Sequence, residues 1–161
     1  MSKIKRFASL QIHKITGGKD PVRLMEEFIL KRGFVPEECQ KDKSVENIRW
    51  MLPLSEEEEL EILIEGLNNH SETTIYMGVN VAAVPIRDVY DVLAAALEIA
   101  DGLVGIKVSL VGHFLVLSSS FSASGISLED IEYNYQLIAA QKEWFKEALA
   151  EELDIELPLN D

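Results

Sequence analysis

The segment Ile48-Arg49-Trp50-Met51-Leu52-Pro53-Leu54-Ser55-Glu56-Glu57-Glu58-Glu59-Leu60-Glu61-Ile62-Leu63-Ile64-Glu65 decides the fold. Its apolar side chains recur at every second position, at Ile48, Trp50, Leu52 and Leu54, and again at Leu60, Ile62 and Ile64. A period of two lines one face of a pleated strand. Glu and Leu also favour helices, but the alternation of Leu60, Glu61 and Ile62 fits a half-buried strand better. The segment therefore predicts two strands joined by an acidic turn over residues 55–59. That turn lacks the glycine and the ligand spacing of a calcium loop, so it reads as a solvated turn.

Upstream, Asp20-Pro21 supplies an N-cap and a first-turn proline. Leu24, Met25, Phe28 and Ile29 follow at helical spacing, and Gly33 is the stop. Residues 1–19 mix basic and apolar positions and end in Gly17-Gly18, which reads as a basic N-terminal arm or short element. Residues 20–161 are expected to form a single α+β domain, a normal size for one core.

Downstream of a polar break at residues 67–72, Ile75, Met77, Val79 and Val81 alternate in a third strand. Pro85 then opens a helix whose Ile86, Val89, Tyr90, Leu93, Leu97 and Ala100 share one face, the expected core face, ended by Asp101-Gly102. Ile106, Val108 and Leu110 pair through a tight Gly112-His113 reversal with a strand from Phe114 to Phe121. Ser118-Ser119-Ser120 and residues 122–125 read as its frayed end and a loop. The element order is α-β-β-β-α-β-β-α, an α+β fold with an antiparallel sheet packed against helices.

The closing helix carries the clearest start signal: Ser127 as N-cap, Asp130 three residues later, and Ile126 placed to staple against Ile131. It runs to about Leu153, with Pro158 confirming the stop. At 100° per residue, Ile131, Tyr135, Ile138, Phe145 and Leu149 fall in one stripe, the core. Tyr133, Leu137, Ala140, Trp144 and Ala148 form a second stripe, leaving Glu129, Glu132, Gln136, Glu143 and Glu147 as the wet ridge. Contiguous exposed apolar surface marks contacts, so Tyr133, Leu137 and Trp144 are the candidate partner or dimer interface. Cover by the first helix or the N-terminal arm is the competing reading.

The net charge is −13, unevenly placed: residues 1–49 hold 11 basic and 7 acidic side chains, and residues 50–161 hold 4 and 21. A strongly negative main body repels phosphate backbones, so no nucleic-acid partner is expected there, although Lys3, Lys5, Arg6, Lys14 and Lys19 give the arm the opposite sign. Cys39 is the single cysteine, which excludes an internal disulfide. No apolar run approaches the roughly 18 residues of a membrane span, and the N-terminus lacks a secretory segment. A cytoplasmic location is expected, in which the Asn69-His70-Ser71 sequon has no role.

No catalytic constellation is present. Gly17-Gly18-Lys19 lacks the upstream glycine of a phosphate loop, and Asp20 stands where Ser or Thr would bind magnesium. His13, His70 and His113 have no Cys, Asp or Glu at metal-ligand spacing. There is no G-x-S-x-G elbow, and Cys39 has acidic neighbours in Glu37 and Glu38, which disfavour a thiolate. No enzyme activity, cofactor or metal is expected.

The order of elements, with Thr74 to Val81 as the third strand before the Pro85 helix, the Gly112-His113 hairpin with Phe114-Leu115-Val116-Leu117, and the acidic closing helix, resembles the type III secretion chaperone-like fold, including its YbjN-like family. The resemblance spans about residues 20 to 155, with the arm before Asp20 extra. It implies a small acidic dimer that binds other proteins, with no catalysis and no cofactor. The expected function is a non-catalytic, chaperone-like or regulatory protein-binding module. Two alternatives stay open: a small-molecule or enzymatic pocket between sheet and helices using Tyr76, Arg87 or His113, and a subunit of a larger assembly.

Overall fold

The computed structural model describes residues 20–69 and 72–154. The basic arm, His13, His70, the sequon as a whole and Pro158 lie outside the described residues. The fold is α+β, with a six-stranded antiparallel sheet and helices.

Helix α1 (Pro21–Lys31) forms as its first turn dictates. Pro21 occupies the first helical position, where no N–H is missed, and the Asp20 carboxylate accepts from the Val22 N–H at 3.0 Å. It buries Leu24, Met25, Phe28 and Ile29, the four positions its spacing selects. Gly33, at φ +86°, ends the element in a left-handed conformation that costs a side-chain-bearing residue more.

Two elements follow that the apolar pattern does not announce. Helix α2 is a single turn, Pro36–Cys39, and strand β1 is Gln40–Lys43. Gln40, Lys41, Asp42 and Lys43 include no apolar side chain, so no alternation marks them. The strand exists because its backbone continues the ladder of β2 (Ile48–Pro53), antiparallel from Lys43 opposite Ile48 to Gln40 opposite Trp50, with a bulge between Gln40 and Asp42.

Strand β3 (Glu59–Glu65) completes the predicted hairpin. β2 and β3 both alternate strictly, burying Ile48, Trp50 and Leu52, and Leu60, Ile62 and Ile64. The remaining elements are β4 (Thr74–Ala83), α3 (Val89–Ala100), β5 (Lys107–Val111), β6 (Phe114–Ser122) and α4 (Leu128–Leu153). The sheet order is β1-β2-β3-β4-β6-β5, which leaves β1 and β5 as its edges. Gly112, at φ +62°, and His113 form the two-residue turn between β5 and β6, closed by Val111 opposite Phe114.

The contacts divide the chain into two compact units. Of the described residues, one comprises those from Asp20 to Leu52, within Ile62–Tyr76 and in Ser120–Tyr133, and buries Phe28, Trp50, Ile64, Ile75 and Ile131. The other comprises Pro53–Glu61, Met77–Ser119 and the described residues from Asn134 to Asp154, and buries Leu60, Met77, Leu117, Ile138 and Phe145.

Three expectations are corrected. Ser118 and Ser119 are not a frayed end: both are buried within β6, and the Ser119 hydroxyl donates to Asn134 Oδ1 at 2.8 Å. The strand outlasts its apolar run because that partner satisfies the buried hydroxyl. The helix after Pro85 starts at Val89 and turns its other side inward, burying Val92, Ala95 and Ala96. The small side chains let the helix backbone come close, and the larger ones are left outside. Glu132 does not stand free on the wet ridge but pairs with Arg32, whose guanidinium also lies 5.4 Å from the centroid of the Phe28 ring.

Helix α4 starts on the predicted capping box: the Ser127 N–H donates to Asp130 Oδ2 at 2.9 Å, and the Asp130 N–H donates to Ser127 Oγ at 3.2 Å. Its core stripe is as expected at Ile131, Ile138, Phe145 and Leu149, all buried, with Tyr135 half-buried.

Candidate protein-binding surface

The surface is built from α3 outward. This helix carries no basic residue, and its hydrophilic positions are confined to Asp91 and Glu98, beside Asp88 and Asp101 at its ends. Both of its long sides are therefore apolar. With Val92, Ala95 and Ala96 turned in, Tyr90 is 83% exposed and Leu97 72% exposed, while Ile86, just before the helix, is 93% exposed. The exposed face is rotated from the buried one by roughly 160° at 100° per residue. Each such side chain forgoes roughly 1.5–3 kcal/mol of burial, an arrangement typical of contact surfaces.

Strand β5 extends this apolar character beside α3, which it contacts. Leu110 and Val111 are adjacent in sequence and so point to opposite faces of the sheet, yet both are exposed. The two sheet edges thus differ in kind. β1 is four residues long, bears two lysines and is bulged, the features that keep an edge from pairing with another chain. β5 ends in Leu110 and Val111 with no bulge in its register to β6.

The three residues singled out on α4 share one stripe and differ in exposure. Tyr133 is 65% exposed, Trp144 is 46% exposed, and Leu137 is half-buried. Tyr133 falls in the first compact unit, Leu137 and Trp144 in the second. Leu137 and Trp144 are approached by the loop after α3. A Cβ added to Gly102 would stand 2.8 Å from Trp144 Cη2, and one added to Gly105 would stand 3.2 Å from Leu137 Cδ2. Between these glycines the Gln141 amide holds the backbone of Val104 twice: Gln141 Nε2 donates to its carbonyl at 2.7 Å, and its N–H donates to Gln141 Oε1 at 3.0 Å. Part of the second stripe is thus covered from within the chain.

On the opposite flank the predicted solvated turn proves to be anchored. Glu58 accepts from Lys142 and from Lys146, the latter at 2.6 Å. Lys142 is buried and also meets Glu143 at 2.8 Å. Burial alone would push the Glu58 carboxyl up, but hydrogen bonds and charge from the two lysines hold it below its ordinary value. For Lys142 burial works downward, and the carboxylates of Glu143 and Glu58 carry the ammonium above its usual range. A depression at this turn is lined by Ser55, Glu57, Glu58 and Lys146, with the Glu58 carboxylate already engaged by Lys146.

Of the residues considered for a pocket, Arg87 and His113 are exposed, His113 lies with its ring centroid 4.4 Å from that of Phe114, and Tyr76 is half-buried in β4. Cys39 is buried, and burial first, then Glu38, pushes its thiol up, away from the reactive thiolate. Among the described residues no cluster of three or more His, Cys, Asp or Glu could hold a metal, and no helix is long and apolar enough to cross a membrane.

The α+β fold, with its six-stranded sheet and helices, is similar to the folds of solved protein-protein complexes. One such structure is the ExsC-ExsE complex, matched at a TM-score of 0.57 and 16% identity over 79% of this chain and 91% of that one. Two others align at a TM-score of 0.49: the HopA1-SchA chaperone-effector complex (11% identity, 78% of this chain and 91% of that one) and the heterodimeric ExoU-SpcU complex from the type III secretion system of Pseudomonas aeruginosa (13%, 76% and 95%). No family model and no curated protein matches the sequence.

Proposed function

We propose that this chain is a non-catalytic protein-binding module, chaperone-like or adaptor in role, that works in the cytoplasm as an acidic homodimer. The observation that carries the reading is the exposed apolar face of Tyr90 and Leu97 on α3, set beside the unguarded edge of β5. A second copy covers that face and edge. Tyr133, Leu137 and Trp144 on α4 then serve a segment of another protein. The similar ExsC-ExsE structure, a complex, supports this direction. Kinship with the YbjN-like family belongs to the same reading and rests on the element order and the Gly112-His113 hairpin.

The test is the mass of the protein in solution, with Leu97→Glu as the variant and circular dichroism as the check on folding. The reading expects a dimer for the wild type and a folded monomer for the variant. A wild-type monomer at high concentration would remove the dimer.

A further inference from the structure

We propose that residues 101–106 form a strap, held shut by Gln141, that covers the Leu137 and Trp144 part of the α4 stripe and must swing away before a partner segment can occupy it. The inference rests on the protein-binding reading of that stripe.

Three observations converge on it. First, the loop is held to α4 by the one side-chain clamp described above, in which both prongs of the Gln141 amide meet the backbone of Val104. Both bonds are exposed, so water can replace them, and such bonds belong to the easily opened part of a structure. Second, at the centre of the clamp Val104 is 73% exposed, and the loop's other large apolar residues, Leu103 and Ile106, are only half-buried. Third, the close cover is favoured by the absence of side chains at Gly102 and Gly105, since a Cβ at Gly102 would clash with Trp144 and one at Gly105 would press on Leu137. Gly105 also holds φ +70°, a conformation in which glycine turns freely. A thin segment laid over two large apolar side chains, clamped to α4 through Val104 and carrying glycines at Gly102 and Gly105, has the form of a removable cover. The residues beneath it, Leu137 and Trp144, share their stripe with Ala140, which is exposed between them.

The test is amide hydrogen exchange on the full chain, read together with acrylamide quenching of tryptophan. Trp50 is fully buried, so the quenchable emission reports Trp144. In the wild type the Val104 amide should exchange through local opening, faster than the amides of Ile138 and Phe145 within α4. Gln141→Leu removes the clamp and should speed Val104 exchange by about tenfold, the usual worth of one or two exposed hydrogen bonds, while the α4 amides are unchanged. Trp144 quenching should rise in step. Gly102→Ala, which props the strap from the other side, should give the same pair of changes if Gln141→Leu folds poorly. Val104 exchange no faster than that of the α4 amides in the wild type, or quenching unmoved in both variants, would overturn the strap. Neither result depends on whether a partner or second copy binds, which the solution mass decides separately.

Discussion

Glu58 and Lys142 form an ion pair in which the buried ammonium of a helix meets the carboxylate of a turn 84 residues away in sequence. With Lys146 on the other carboxylate oxygen, the pair fixes the β2–β3 turn on α4. Glu58→Gln keeps the shape and removes the charge, leaving Lys142 with Glu143 alone. The expected loss is about 2 kcal/mol, less than for a fully buried pair because Glu58 and Lys146 keep some contact with water. Chemical denaturation with an unchanged slope checks it.

The same pair sets a pH dependence. Glu58 titrates below its ordinary 4.5 in the folded state, so its contribution is present above that value and fades as the pH falls through the lower folded one. Lys142 titrates above its ordinary 10.5, so its contribution is present below that value and fades as the pH rises through the folded one. In Glu58→Gln the acid limb of the stability profile should flatten as the pH falls below the ordinary 4.5 of the carboxyl. Thermal melts across that window measure it, and a profile parallel to the wild type would refute the assignment.

Trp50 is wholly buried, and its indole N–H has no hydrogen-bond partner among the described residues. An unpaired buried donor costs roughly 1–3 kcal/mol, comparable to what a smaller ring loses in packing. Trp50→Phe should therefore leave stability within about 1 kcal/mol of the wild type, whereas Trp50→Ala should cost about 3–5 kcal/mol. Urea midpoints of the two variants distinguish these outcomes.

Two copies each of net charge −13 repel one another. If apolar contacts of Tyr90, Leu97 and Leu110 hold the dimer, salt screens the repulsion and leaves the attraction, so association should strengthen several-fold between about 0.01 and 0.15 M salt. Sedimentation at the two ionic strengths reads the trend. Weakening with salt would point to an interface held by opposite charges.

What the sequence made legible depends on how many apolar sides an element has: those with one were read directly, β1 with none was missed, and α3 with two had its buried side misread. Leu24, Met25, Phe28 and Ile29, and the alternation from Ile48 to Ile64, each define one side and are buried as expected. Gln40 to Lys43 define none, so β1 could be found only through the ladder it shares with β2. Helix α3 defines two, and size misled. Tyr90 and Leu97 looked like the core, while the chain buries Val92, Ala95 and Ala96. The one available signal was that these smaller residues also share a face. On α4 the second stripe was legible, but its partial cover was not, because Gly102 and Gly105 meet Trp144 and Leu137 across more than thirty residues of chain.

The central claim is that the exposed face of α3 and the edge of β5 are built for a second copy. The most direct measurement is the mass of the full chain by light scattering over a range of concentrations, for the wild type and for Leu97→Glu. The account predicts twice the 18.1 kDa chain mass for the wild type and a folded single chain for the variant. A wild type that stays at one chain mass at the highest concentration, or a Leu97→Glu variant that remains as dimeric as the wild type, would contradict it.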